Sequence, residues 1–529
     1  MIISKENLST AADILKPHHK KLGLLFFLTA IQAVMFSAID PLAMKFLIDA
    51  LSEGDVQTFI YLAVGVTFIA TFGRVLIYYT ALTSQKIKND LHQNLTVEMA
   101  ESLYNKPYEE IAEKGRGYFT SRLHDEARQL SGVVDVCTTL ISGFFVSVIG
   151  LSVAIWLSWE ITLALVVIVP FLYFLAHRFS GKISSCTERL HETEAQFKSI
   201  LNKAIDSFKY VKTHSLINQA QHRIEEGITE PLDARYKNTK IAAMYQSISS
   251  VFLSYAELSV LIAAGIQVIL GAITIGSLFA LTRAFGMIVG AVQQLSSVIP
   301  HIAALNGLLE RYRVFTQKVE SPQGASEIAA HSELELHNVG FSYGDKQILK
   351  DVSLNVNHDD KILISGGNGV GKSTFLNLLA GFYQPQQGRI TLAKDKEMST
   401  ALYPFQFLPG TVKENFNTLS LKWDSSGRAE ALINELGLQE CLDVNYDDLS
   451  EGQKKKCQIA ACLLKPANIY VLDEPLANID DQSKENILGL IERYTKKAAV
   501  LMIMHEGNNF KDKFTRFIDL KGDGKVTVS

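Results

Sequence analysis

Long apolar segments in roughly the first 300 residues restrict the fold of this chain more than any other feature. There are about six of them, and each is near the ~20 residues that a helix needs to cross the hydrocarbon core of a bilayer. They lie at about 22–39, 59–81, 133–156, 161–179, 244–270 and 278–300. Segments of this length and composition predict a helical membrane domain with about six spans.

The composition indicates that a second, water-soluble part accompanies this membrane domain. Of the 529 residues, 47% are hydrophobic, which is too many for a purely soluble protein, and 20% are charged, which is too many for a purely membrane one. The formal net charge of -4 gives no indication of a nucleic-acid partner. The five cysteines form no C-x-x-C pair and no spacing typical of a metal site.

The distribution of Lys and Arg predicts the orientation of the spans. The short loops at 52–57, 158–160 and 271–276 contain neither residue, whereas the segments before the first span and after the even-numbered spans are rich in both. The N-terminus and the polar C-terminal half are therefore predicted to lie in the cytosol. Two polar stretches, 85–129 and 180–240, are predicted to be helical extensions beyond the bilayer.

A phosphate-binding motif, G-x-x-x-x-G-K-S, lies in the C-terminal half. It follows the apolar run 361–365, which is typical of a buried strand, and precedes 375–380, which is typical of a helix. In this setting, backbone N–H groups close around phosphate oxygens at a helix N-terminus. Lys372 is expected to reach the β- and γ-phosphates, and Ser373 is expected to ligate Mg²⁺. The predicted loop consists of Gly366, Gly367, Asn368, Gly369, Val370, Gly371, Lys372, Ser373 and Thr374.

Two acidic residues follow a second apolar run, 469–472. Asp473 ends the predicted strand, where a carboxylate can hold the Mg²⁺ shell, and Glu474 is placed to act as general base on the attacking water. An isolated Asp-Glu pair at this position is usually a solvated strand end. The phosphate loop upstream makes catalysis the better interpretation.

The segment Leu-Ser-Glu-Gly-Gln at 449–453 lies between the phosphate loop and Asp473. These three motifs, in this order and behind a membrane half, resemble the ATP-binding cassette of an exporter-type ABC transporter. The resemblance implies that the segment, which we call the signature segment, closes on ATP held by the phosphate loop of an opposing subunit. The implied contacts are Ser450, Gly452 and Gln453, and the implied assembly is a dimer, most simply a homodimer. An alternative interpretation of the lysines at 454–456 is that they form only a solvated basic helix start.

The same resemblance implies roles for three further residues. His505 follows the apolar run 500–504 and is expected to contact the γ-phosphate, although a lone His at a strand end is more often structural. Asp480 matches the loop that lies at the subunit junction. Tyr343 matches the aromatic residue that stacks on adenine, and its alternative interpretation is a core aromatic of a strand.

The chain departs from the family pattern in several places, among them Glu451 in the signature segment. The glutamine that normally contributes to the Mg²⁺ site is expected where Tyr403 stands, and Gln406 is displaced from that position. A shorter loop would still allow Gln406 to reach the metal. The stretch between Gly388 and Thr411 is also shorter than in typical exporter cassettes, which makes the chain weakly similar to compact exporters of cyclic peptides and siderophores.

The predicted fold is a multi-domain membrane protein, in which an all-α, six-helix transmembrane domain of ABC exporter type precedes an α/β P-loop ATPase domain. We place the transmembrane domain at 1–320, a linker at 321–332 and the ATPase at 333–529. The stretch 117–123 with Asp125 resembles the first cytosolic loop of ABC exporters, and 204–212 resembles the end of the second. The resemblance implies that short helices in such loops dock onto the ATPase.

The predicted function is ATP-driven export by alternating access, with ATP and Mg²⁺ as cofactors, in a membrane that is most simply the bacterial inner membrane. The cargo is predicted to be a peptide, a siderophore-like compound or another amphipathic molecule. The alternatives are an ATP-gated channel, a regulatory subunit, or one half of a heterodimeric exporter.

Three ionisable residues inside the apolar runs, Arg74, Glu257 and Arg283, are candidates for the transport path. An ionisable group in a span is costly and tends to face a cavity. The alternative is a structural tie between helices, or a position at the cytosolic edge of the membrane.

Overall fold

The computed structural model describes residues 4–166, 168–317, 332–344, 346–424, 427–477, 479, 481–504, 507–522 and 524–529. The chain divides into two compact units: Met1–Asn105 with Arg116–Lys318, and Lys106–Gly115 with Val319–Ser529. The domain boundaries that we placed from the sequence stay predictions.

Helices form the first unit. They are α1 (Lys5–Leu15), α2 (His19–Val34), α3 (Asp40–Glu53), α4 (Val56–Tyr104), α5 (Tyr108–Thr120), α6 (Ala127–Ser131), α7 (Val133–Leu157), α8 (Trp159–Val166), α9 (Ile168–Asp206), α10 (Phe208–Thr213), α11 (Ile217–Ile269) and α12 (Ile275–Thr316). Helix α5 is interrupted at Gly115, whose φ of 73° is left-handed, and the division between the two units falls at this residue.

Several of these helices are long and apolar enough to cross a bilayer. Within the described residues, five helical stretches meet both conditions: Lys5–Glu53, Val56–Tyr104, Tyr108–Leu157, Ile217–Ile269 and Ile275–Leu295. The fourth predicted span, 161–179, falls on α8 and α9, and residue 167 between them lies outside the described part. Helix α11 has 53 residues. Its length of about 80 Å greatly exceeds the ~30 Å hydrocarbon core, so much of it extends beyond the bilayer.

Polar contacts join α3 to α12. Helix α3 begins with Asp40 and Pro41, directly after a short π-helical turn, Met35–Ile39. A change of helical geometry is expected next to Pro41, because proline lacks a backbone N–H. The Nε of Arg283 donates to Oδ2 of Asp40 at 2.5 Å. Arg283 therefore makes a tie between helices in this structure, while its role in a transport path stays a prediction. Near the start of α12, Asp49 accepts hydrogen bonds from the Gly276 backbone and the Thr274 hydroxyl, each at 3.0 Å.

Small side chains let the central helices of the first unit pack closely. Ala154 on α7, Ala264 on α11, and Ala280 and Ala284 on α12 are completely buried. Alanine at such positions allows the backbones of neighbouring helices to approach, which is how helices associate in a bilayer where lipid is as apolar as leucine.

The second unit is built on two sheets flanked by helices. Its strands are β1 (Ser332–Tyr343), β2 (Lys346–Asn357), β3 (Lys361–Gly366), β4 (Gln387–Leu392), β5 (Met398–Ala401), β6 (Ile469–Asp473), β7 (Ala499–Ile503), β8 (Arg516–Leu520) and β9 (Val526–Val528). Its further helices are α13 (Lys372–Leu379), α14 (Val412–Trp423), α15 (Arg428–Glu435), α16 (Glu451–Leu464) and α17 (Asp481–Tyr494).

The larger sheet positions the site. Its strand order in the described residues is β5-β6-β7-β3-β8-β9, and every pair except β8–β9 is parallel. Strands β6 and β7 are buried along their whole length, as expected for a parallel sheet covered on both faces. The carboxyl ends of parallel strands share one edge of the sheet, where open α/β sheets bind ligands. The phosphate loop after β3 and Asp473 at the end of β6 therefore lie at the same edge.

Candidate functional site

The phosphate loop adopts a conformation that depends on its glycines. The φ angles are 147° at Gly366, 77° at Gly369 and 102° at Gly371, all in the region that favours glycine. A Cβ at Gly371 would lie 2.3 Å from Cγ2 of Ile348 on β2. The Lys372 ammonium donates to the carbonyl oxygens of Gly366 and Gly367, each at 3.0 Å. The loop thus curls around the amine that was predicted to bind phosphate.

The predicted metal ligands Ser373 and Asp473 lie next to each other. Asp473 is the last residue of β6 and is buried, and burial raises the pKa of its carboxyl above the usual value. A hydrogen bond from the Ser373 side chain and the charge of Lys372 oppose that rise in pKa. A hydroxyl and a carboxylate beside a phosphate loop are the oxygen donors that Mg²⁺ uses together with substrate phosphates, so these residues fit the ion.

Glu474, the predicted base, has a left-handed backbone with φ = 48°. A non-glycine residue in this region is strained, and such strain persists only where the surroundings enforce it. Its backbone N–H donates to the Ile503 carbonyl at 3.1 Å, and its own carbonyl accepts from the Ala477 N–H at 3.2 Å. The conformation is therefore held by the end of β7 and by the turn that follows β6.

The signature segment forms the start of α16. Ser450 is the residue before the helix: its hydroxyl accepts from the Gln453 N–H at 3.3 Å, and the Gln453 side chain accepts from the Ser450 N–H at 2.9 Å. This reciprocal capping box fixes the first turn. Gly452 lies within that turn, whose free N–H groups favour an anion. Two of the predicted ATP contacts thus also determine where the helix begins.

The displaced glutamine lies in an aromatic-lined segment between β5 and α14. Gln406 and Tyr403 are both exposed. The rings of Phe405 and Phe407 flank Gln406 in sequence and pack with their centroids 5.2 Å apart. The start of the segment is fixed by Gln458, a buried residue of α16, whose amide donates to the Leu402 carbonyl at 2.7 Å. Sequence reasoning missed Gln458, because nothing in the local pattern identifies its partner.

Tyr343, predicted to stack on adenine, ends β1 with 46% of its surface exposed. Its ring lies edge-on to that of Tyr383 at 5.8 Å, and Tyr383 lies edge-on to Tyr108 at 5.8 Å. Glu109 accepts from the Gln384 N–H at 2.9 Å. The short segment Lys106–Gly115 therefore packs beside the predicted adenine site, whereas the motif at 117–123 that resembled the docking loop falls in the first unit.

The structure gives less information on the remaining predicted residues. His505 and Asp480 lie outside the described residues. Arg74 and Glu257 are exposed side chains on α4 and α11. Within the described residues, no group of three His, Cys, Asp or Glu side chains is arranged to hold a metal ion, so the oxygen donors at the phosphate loop are the candidate site.

Comparisons with known proteins identify the family. The model for the ABC transporter transmembrane region matches residues 22–292, and a second model, described as ABC transporter, matches residues 349–477. The chain belongs to the ABC transporter family, with the membrane region and the ATPase fused in one polypeptide. This confirms the predicted fold class and an ATPase coupled to transport across a membrane.

The chain is similar to several proteins named as transporters. It is 23% identical to an ATP-dependent lipid A-core flippase of Desulfotalea psychrophila, over 85% of this chain and 84% of that protein. It is 24% identical to a multidrug resistance ABC transporter ATP-binding and permease protein of Lactococcus lactis, over 82% and 78%. A bacterial Atm1-family ABC exporter solved with ATP bound shares the fold, with a TM-score of 0.81 at 16% identity over 97% of this chain and 94% of that one.

Proposed function

We propose that two copies of this chain form an ATP-driven exporter in a bacterial inner membrane, with the N-terminus and the ATPase domain in the cytosol. The observation that carries the proposal is the joint presence, in one chain with a membrane region, of the curled phosphate loop, the Ser373–Asp473 pair and the capped signature segment. An inactive partner of a transporter would be expected to have lost one of these parts.

Each residue of the site has a distinct task in this proposal. The loop N–H groups and Lys372 bind the ATP phosphates, and Ser373, Asp473 and Gln406 hold Mg²⁺. When bound, the ion neutralises negative charge on the phosphates. Glu474 accepts the proton of the attacking water, and its enforced backbone conformation limits the directions in which the carboxylate points. His505 on the γ-phosphate and Asp480 at the subunit junction complete the predicted set.

The two ATP sites lie between subunits in this proposal. ATP on the loop of one subunit meets Ser450, Gly452 and Gln453 of the partner subunit. The N-terminus of α16 favours the negative charge of the phosphates. ATP binds the closed dimer more tightly than the open one, and this difference in affinity drives the conformational change.

A cavity in the first unit suggests the class of cargo. Its volume is about 530 Å³, within the range of small-molecule sites. Most of the lining surface is apolar and includes Val136, Val298 and Leu305. Five polar side chains also line the cavity, among them Asp135, Gln294 and His301.

The cavity lies near the cytosolic end of the predicted spans. His301 is about 39 Å along α12 from its first residue, which exceeds the ~30 Å hydrocarbon core. Asp135 accepts from the Lys88 ammonium at 3.0 Å, so an ion pair adjoins the apolar lining. We propose an amphipathic cargo that enters from the cytosol or the inner leaflet. The names of the relatives, a lipid A-core flippase and a multidrug transporter, support this class.

The proposal is tested with purified protein in proteoliposomes, by measuring ATPase activity against amphipathic lipids, peptides and siderophores. We expect one class to stimulate the ATPase and to accumulate on the outward side only with ATP. Val136→Trp should place an indole ring in the cavity and remove the stimulation while the unstimulated rate remains. The matched control is Leu140→Trp, at an exposed position one turn further along α7, which should keep the stimulation.

Two outcomes would contradict parts of this proposal. ATP-dependent leakage without net accumulation would indicate a gated channel. Stimulation that survives Val136→Trp would place the cargo elsewhere and leave the ATPase assignment untouched.

A further inference from the structure

A lysine just after the signature segment contacts the catalytic strand. The Lys455 ammonium, at the second turn of α16, donates to the backbone carbonyl oxygen of Asp473 at 2.9 Å. The alternative interpretation of 454–456 as a solvated basic helix start does not hold for Lys455, because its side chain is partly buried and makes this contact. Burial lowers the pKa of the Lys455 ammonium, while the nearby Asp473 and Glu474 carboxylates oppose that shift.

The carbonyl that Lys455 contacts belongs to the peptide bond between Asp473 and Glu474. The N–H of the same peptide group donates to the Ile503 carbonyl at 3.1 Å. One peptide plane is therefore fixed from two sides, by the end of β7 and by the helix that carries the signature segment. This plane determines the backbone geometry at Glu474, which is left-handed and strained.

Lys455 also lies between two groups that act on ATP in the proposed dimer, the signature segment and the catalytic strand end. It is five residues beyond Ser450, which in the proposed dimer meets ATP held by the partner. Its ammonium touches the strand end that carries the base for ATP held by its own subunit. A hydrogen bond with a charged donor is among the stronger ones in proteins and has a defined direction. The bond therefore links the start of α16 to the Asp473–Glu474 peptide.

We propose that Lys455 is a positioning residue: it holds the Asp473–Glu474 peptide plane, so that Glu474 points at the attacking water only while α16 is in place. This inference rests on the proposed function, because it presupposes that Glu474 is the base. It predicts that Lys455 affects the rate of hydrolysis and leaves the binding of ATP unchanged.

The test replaces Lys455 by Met, which keeps the length of the side chain and removes the donor. We expect kcat for ATP hydrolysis to fall by about 10- to 100-fold, with KM for ATP within about 3-fold, because only the orientation of the base changes. Lys455→Arg keeps a charged donor and should recover most of the rate. The matched control is Lys465→Met: Lys465, just beyond the other end of α16, donates to the Met398 carbonyl at 2.9 Å, away from the phosphate loop. Lys465→Met should keep the wild-type kcat and KM for ATP.

The inference is overturned if kcat for Lys455→Met stays within about 2-fold of the wild type, or if KM rises with the loss of kcat. It is also overturned if Lys465→Met lowers kcat equally, which would indicate general destabilisation. Should Lys455→Met fail to fold, Lys455→Leu, whose side chain also lacks a donor, carries the same expectations. If the wild-type protein itself does not hydrolyse ATP, the proposed function fails instead.

Discussion

Glu474→Gln should reduce ATP hydrolysis by at least about 100-fold while ATP still binds with a Kd within about 3-fold of the wild type. The substitution keeps the shape of the side chain and removes its ability to accept a proton. General base catalysis contributes roughly 10²- to 10⁴-fold in enzymes, so nearly all turnover should be lost. The backbone at this position is held by Ile503 and Lys455, so the variant should retain the local fold.

Steady-state phosphate release and equilibrium binding of a labelled nucleotide measure the two effects separately. The matched control is Glu440→Gln, which removes the same carboxylate at an exposed position just after α15 and should keep the full rate. Near-normal hydrolysis by Glu474→Gln would remove Glu474 from the base role. A large rise in Kd would assign it to nucleotide binding.

Gly371→Ala should weaken ATP binding by at least about 30-fold and lower the stability of the ATPase domain. The position has φ = 102°, and an added Cβ would meet Cγ2 of Ile348 at 2.3 Å. Ile348 is β-branched and lies in β2, so it yields little. Backbone strain and overpacking together destabilise the ATP-binding conformation of the loop by about 2 kcal/mol or more. If the loop must change shape to relieve them, this free energy corresponds to a rise of roughly 30-fold in the Kd for ATP.

The control for this variant is a second left-handed glycine at the other end of α13. Gly381 has φ = 75°, and an added Cβ there meets no atom within 4 Å. Gly381→Ala should therefore carry the backbone strain alone, with a loss of about 1 kcal/mol in stability and a Kd for ATP within about 2-fold. Calorimetric melting and nucleotide titration compare the two. Equal Kd values for both variants would show that the contact with Ile348 does not shape the phosphate loop.

Local patterns made much of the fold predictable. The spans follow from the length of apolar runs, and the phosphate loop follows from glycines between a strand and a helix. The position of Asp473 at the same edge as that loop follows from the rule that the carboxyl ends of parallel strands share one edge of a sheet. All of these depend on residues that are close in sequence or on a general property of parallel sheets.

The contacts between distant segments were not predictable in this way. Arg283 meets Asp40, although the two are 243 positions apart, and the choice of partner depends on how α3 and α12 pack. Lys455 is a helix residue in a basic run, and only the position of α16 against β6 brings its ammonium to the Asp473 carbonyl. The packing of Lys106–Gly115 with the rest of the second unit also has no signal in the sequence of this segment.

The most direct test of the central claim, that each ATP site is shared between two copies of the chain, is the ATPase activity of isolated mixed dimers. Lys372→Met disables the phosphate loop, and Gly452→Asp puts a carboxylate where the partner's phosphates should bind. Each variant alone should be inactive as a homodimer. A dimer with one copy of each, purified through two different tags, retains one complete shared site and should recover about half of the wild-type rate. Mixed dimers as inactive as either parent would contradict the claim.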